Sequence, residues 1–87
     1  MPTISMFYGI AIRMYFGESE HPPPHFHAEH AGKSMKVEIK TGKIIAGSLP
    51  PRQTKLVLAW ADLRRDELMA NWDILMRNEE PFRIEPL

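Results

Sequence analysis

Apolar and polar positions alternate with period two through most of the first half of the chain. Over residues 10–16, Ile10, Ile12, Met14 and Phe16 share one face, and Ala11, Arg13 and Tyr15 share the other. That alternation predicts a half-buried strand. His25–His30 repeats it, with Phe26 and Ala28 opposed to His25, His27 and Glu29, and His30 pointing to the Phe26 side. Residues 34–40 repeat it again, Met35, Val37 and Ile39 inward and Lys36, Glu38 and Lys40 outward. Residues 44–46 close the series, and a shorter strand is expected ahead of it at Thr3–Phe7, ended by Gly9. Between these runs stand turn formers: Ala31-Gly32, and Lys40-Thr41-Gly42-Lys43, whose glycine supplies positive φ. Residues 17–24 hold a glycine, two acids and three prolines and read as a loop ending in polyproline character.

The period changes after Gly47-Ser48-Leu49-Pro50-Pro51. Ser48 is the expected N-cap, and from Arg52 onward Leu56, Trp60 and Leu63 form a stripe at helical spacing. Continued, that stripe meets Glu67, whereas Leu68, Trp72 and Leu75 form a second, offset stripe. The offset predicts a break near 64–66, with Asp66 as a second N-cap. A straight helix over 51–77 would run ~40 Å, too long for so small a body. Pro81 ends the helices, and Phe82 and Ile84 alternate in an extended tail suited to docking on the sheet. Strands first and helices last predict an α+β fold. An antiparallel sheet of about four strands fills the N-terminal half, covered on one face by one or two C-terminal helices. The covered face is Ile12, Met14, Phe26, Ala28, Val37 and Ile39, with Trp60 and Trp72 as core anchors; the other face is open.

With 87 residues, one domain over 1–87 is expected: a β meander at 1–47, a helical part at 48–80 and an extended tail at 81–87. The sequence has no cysteine, which excludes a disulfide framework and a thiolate metal cage. Eleven basic and eleven acidic residues cancel, which argues against adhesion to nucleic acid by bulk charge and leaves nucleic-acid binding open. No apolar run suits a membrane span and no leader is visible, so a cytoplasmic protein with no membrane partner is expected.

The candidate chemistry gathers on the open face, where Arg13, Tyr15, His25, His27 and Glu29 project together if the first two long strands pair. His25 and His27 stand two apart on one strand, so both imidazoles project on one side. With His21 or Glu29 as a third ligand, they make a candidate site for a divalent transition metal, held by a stiff proline arm. The plainer alternative is a polar strand face beside a proline turn. Without metal, His25 and His27 beside Arg13 and Tyr15 suit proton transfer and stabilisation of a phosphorane, the chemistry of a hydrolase or ribonuclease. Its plainer counterpart is an ordinary cross-strand pair between Arg13 and Glu29. Arg64-Arg65 and Arg52 with Lys55 form basic spots on the helices, best read as solvated faces.

Pro2-Thr3-Ile4, the strand from Gly9 to Phe16, the run from His21 to His27, Gly47-Ser48-Leu49-Pro50 and the segment from Trp60 to Trp72 occur in an order that is familiar. Together they resemble a family of small bacterial proteins of unknown function marked by a Pro-Pro-His-Phe-His segment. The resemblance implies one half of a compact two-gene unit, like a toxin–antitoxin pair, whose neighbour is another small protein. It carries the family's polar signature onto Arg13, His25 and His27. This chain departs from the pattern at Arg64, where the family often has histidine, and in a longer loop at Gly17-Glu18-Ser19-Glu20. Three readings follow. The leading one is a component of a toxin–antitoxin-like pair, acting on a small protein partner through the open face. The second is a small metal- or His-dependent hydrolase or ribonuclease. The third is a non-enzymatic interaction module, possible as a homo-oligomer through an edge strand.

Overall fold

The computed structural model describes residues 2–17 and 21–87. Five strands, β1 (Thr3–Phe7), β2 (Ile10–Arg13), β3 (His25–His30), β4 (Lys33–Glu38) and β5 (Ile44–Gly47), are followed by helices α1 (Pro51–Leu63) and α2 (Arg65–Met76). The strands form one antiparallel meander in the order β1-β2-β3-β4-β5. The α+β arrangement is as the sequence predicts, with Thr3–Phe7 a full fifth member of the sheet.

Two tight turns set the register. Tyr8-Gly9 joins β1 to β2 and Ala31-Gly32 joins β3 to β4, all four residues at positive φ. Successive left-handed residues give a twist that matches the flanking strands. The third hairpin closes through Glu38 N–H to Lys43 O (2.8 Å) and Gly42 N–H to Glu38 O (2.9 Å).

Three strand limits differ from the alternation. β2 stops at Arg13 rather than residue 16; its β3 partners end at His27, while on the β1 side Met14 N–H still donates to Pro2 O (3.2 Å). β4 runs over Lys33–Glu38 rather than 34–40, although Ile39 N–H still reaches Pro24 O (2.9 Å). β5 extends one residue further, to Gly47. At the opposite edge, a register shift in β1 lets two successive residues, Ile4 and Ser5, both turn inward and be buried.

The helices pack on the predicted face: Ile12, Met14, Phe26, Ala28, Val37 and Ile39 are all buried, together with Val57, Trp60, Leu68, Trp72 and Leu75. Trp60 lies 5.3 Å from the Phe7 ring and 5.9 Å from Phe26, centroid to centroid. Each such aromatic pair contributes about 1 kcal/mol beyond the area it buries. The helix breaks at Arg64 (φ −113°, ψ 21°); α1 buries Val57, Trp60 and Ala61, whereas Leu63, expected on its apolar stripe, is exposed. Arg64, not Asp66, caps α2; Asp66 and Glu67 lie in its first turn, where the helix dipole favours acids. Likewise α1 begins after Pro50, and Ser48 makes no capping bond; instead Thr54 Oγ1 donates to the Leu49 and Pro50 carbonyls (3.0 Å each).

Beyond α2 the chain returns to β1. Asn71, fully buried on α2, donates from Nδ2 to Phe82 O (2.8 Å) and accepts from Phe82 N–H at Oδ1 (3.0 Å). Trp60 Nε1–H donates to Glu85 O (2.8 Å), and Ile84 N–H donates to Ile4 O (2.8 Å). Ile84 is buried, while Phe82, expected to dock beside it, remains 40% exposed.

Candidate functional site

The face away from the helices is ordered by cross-strand register. Arg13 on β2 stands opposite His27 on β3, and His27 stands opposite Lys36 on β4. Strand alternation sends all three side chains to the same side, in a row one residue wide across three neighbouring strands. Two residues along, Ala11, Glu29 and Ser34 form the next outward row. Arg13 Nε lies 3.3 Å from Glu29 Oε1, at ion-pair distance, with both side chains about one-third exposed. A pair that wet contributes at most about 1 kcal/mol. Its effect here is to hold the guanidinium down on the sheet.

His25 departs from the expectation that it stands open on this face. It is 3% exposed. Its ring centroid is 5.1 Å from that of Trp72 on α2, and Nδ1–H donates to Pro23 O at 2.7 Å. That bond selects the tautomer: the neutral ring carries its lone pair on Nε2. Alternation alone could not show this burial, because it comes from a helix forty-seven positions downstream closing over the start of β3.

Four rings then run outward in contact: Trp72 to His25, His25 to His27 (5.2 Å) and His27 to Tyr15 (4.6 Å, edge-on at 82°). His27 is therefore wedged between Tyr15 and His25, half-buried, at the middle of the basic row. The structure thus brings Arg13, Tyr15, His25, His27 and Glu29 into one neighbourhood. Lys36, outward on β4 as its alternation predicts, completes the row. The signal for it was its place in the β3–β4 register.

The proposed metal ligands do not converge. Among the described residues, no group of three or more His, Asp or Glu side chains is placed to hold a metal ion. His21 is exposed on the far side of the prolines, and the Glu29 carboxylate is turned to Arg13. Glu18, Ser19 and Glu20, in the lengthened loop, lie outside the described residues. His30 is directed to the opposite face, where Nδ1–H donates to Gly9 O (3.0 Å). On the helices, Arg64 meets Glu67 (3.3 Å), and Arg65 bridges Asp62 (3.0 Å) and the Ile39 carbonyl (3.2 Å), so this basic spot braces the elbow between α1 and α2.

Two shallow depressions mark the surface. One, of about 430 Å³, lies at the end of the sheet around Gly9, His30, Gly32 and Lys33. The other, of about 350 Å³, lies at the helix elbow around Asp62, Arg65 and Glu67. Ala11, Glu29 and Ser34, the second outward row, line the first depression, whereas Arg13, Tyr15, His25 and His27 line neither.

A family model described as "Domain of unknown function (DUF4160)" matches residues 9–73, most of the chain, and the protein belongs to that family. The match begins after β1 and ends within α2. No curated protein and no solved structure matches.

Proposed function

We propose that this member of the DUF4160 family is the binding component of a toxin–antitoxin-like two-gene pair, gripping a small protein partner through the sheet face of Arg13, His27 and Lys36. One observation carries the reading: these three side chains stand in direct cross-strand register on the face away from the helices. Their setting supports binding over turnover. Glu29 lies at ion-pair distance from Arg13, and an acidic group on a partner facing Lys36 would add a second opposite-charge contact on the same face. The ring contacts hold His27 in one orientation, which lowers the entropic cost of binding. A hydrolase would need His25 at the reacting atoms, and its burial and its bond to Pro23 suit a supporting role instead.

The test is expression in bacteria, alone and together with the product of the adjacent gene. A binding component leaves growth unaffected when expressed alone and co-purifies with its neighbour at a fixed ratio. Arg13→Glu with Lys36→Glu abolishes co-purification while the fold, read by circular dichroism, persists. Growth arrest by the chain alone, relieved by His27→Ala, would replace this reading with that of a toxin that performs chemistry.

A further inference from the structure

The tail beyond α2 docks against β1, and the chain holds it by its backbone. Asn71 engages both the N–H and the carbonyl of Phe82, Trp60 Nε1–H donates to Glu85 O, and Ile84 N–H donates to Ile4 O. None of these bonds uses a side chain of the tail. Among the tail side chains only Ile84 is buried; an Arg83 guanidinium nitrogen reaches Thr3 O (3.3 Å), and Phe82, Glu85, Pro86 and Leu87 are exposed. Main-chain bonds for affinity and an apolar anchor for selectivity are the means by which a sheet edge recognises an extended peptide. Asn71 and Trp60 are fully buried, so an empty groove would leave their polar groups without partners, a costly state. Any occupant must therefore offer N–H groups and carbonyls at the spacing of a peptide backbone.

We infer that β1, Trp60 and Asn71 form a peptide-binding groove that also takes this segment in trans, from the C-terminal tail of a second copy. That tail fits by identity: it remakes each bond and seats the same isoleucine. Residues 77–80, which tether it, are all exposed. There α2 closes on Asn78 at φ +56°, with Asn78 N–H to Leu75 O (2.9 Å) and Glu79 N–H to Ile74 O (3.1 Å). Asparagine leaves the left-handed region for extended backbone at no steric cost, and that change redirects everything after it. One buried side chain and a few bonds stand against the ordering of residues 81–87, contributions of similar size, so the tail opens well short of global unfolding. Exchange between two copies is reciprocal and closes about a two-fold axis. It competes with a tail tethered close by, so the exchanged dimer forms only at high concentration. The groove uses none of Arg13, His27 or Lys36, so the exchange stands apart from the binding proposed for that face.

The test uses the intact chain and a synthetic peptide of residues 81–87, acetylated at its N-terminus. Sedimentation equilibrium follows the chain from about 10 µM to about 1 mM, a range that reaches the effective concentration of a short tether. The apparent mass rises from one chain toward two. Peptide added at about 5 mM occupies the groove and returns the mass to one chain, whereas the same peptide carrying Ile84→Asp leaves the dimer intact. The change is made in the peptide, so the fold of the chain is untouched. A constant one-chain mass at the highest concentration overturns the inference. So does a dimer that the peptide leaves intact, or one that the Ile84→Asp peptide dissociates equally well.

Discussion

His25 separates a supporting from a reacting role, and truncating it to alanine puts a number on the difference. The substitution removes the bond to the Pro23 carbonyl and the ring packed between Trp72 and His27. A hydrogen bond of this kind contributes about 1 kcal/mol. Burying the carbon surface of the ring at 3% exposure contributes about 1–2 kcal/mol more. The expected loss is therefore about 2–3 kcal/mol, and at about 4–8 °C per kcal/mol for a chain of this size the melting temperature falls by about 10–20 °C. His27→Ala removes a half-buried ring with its contacts to Tyr15 and His25, and melts closer to the parent than His25→Ala does. Thermal and guanidinium melts of the three proteins, read by Trp fluorescence and circular dichroism, make the comparison. If His25→Ala melts within about 2 °C of the parent, the supporting role is wrong, since that shift is under 1 kcal/mol.

Three further substitutions probe the frame around the site. Ser5 Oγ is buried and has no hydrogen-bond partner among the described residues, so Ser5→Ala raises stability by about 0.5–1 kcal/mol in denaturant melts, and a lowered midpoint refutes it. Gly47 sits at φ +71°, where an added Cβ would collide with the Ser34 carbonyl oxygen, so Gly47→Ala costs about 2–4 kcal/mol, measured as a shifted urea midpoint. Asn71→Ala removes both bonds to the Phe82 backbone and costs about 2–3 kcal/mol; amide exchange at Phe82 and Ile84 quickens by at least tenfold while the β3 amides stay protected.

The sheet was legible in the sequence because its signal is local. Period-two alternation named the apolar residues that β2, β3 and β4 bury, and the helix break came at Arg64, within the expected 64–66, although α1 buries Val57, Trp60 and Ala61 rather than a Leu56–Trp60–Leu63 stripe. What escaped depends on residues distant along the chain. Met14 and Tyr15 keep the alternation of a strand, yet β2–β3 pairing ends at Arg13, although the register would set Phe26 and His25 opposite them. His25 alternates like an open residue and is covered by Trp72. Asn71 carried a readable sign that was passed over: a polar side chain between Leu68 and Leu75, on the buried stripe of α2, requires a buried partner. The register that aligns Arg13, His27 and Lys36 followed from turn chemistry at Ala31-Gly32, but only once β2 was also paired did the row span three strands.

The bond from Ile84 to Ile4 also bears on how the protein is made. Thr3 and Arg83 are eighty positions apart. β1 is synthesised well before residues 82–85, and one side of it waits uncovered until they follow. Trp60 and Asn71 wait too, each with a polar group that only the backbone around Phe82 and Glu85 satisfies. Until the segment around Phe82–Glu85 docks, the outer edge of β1 stays unpaired, so closing the two ends of the fold together is what protects that edge.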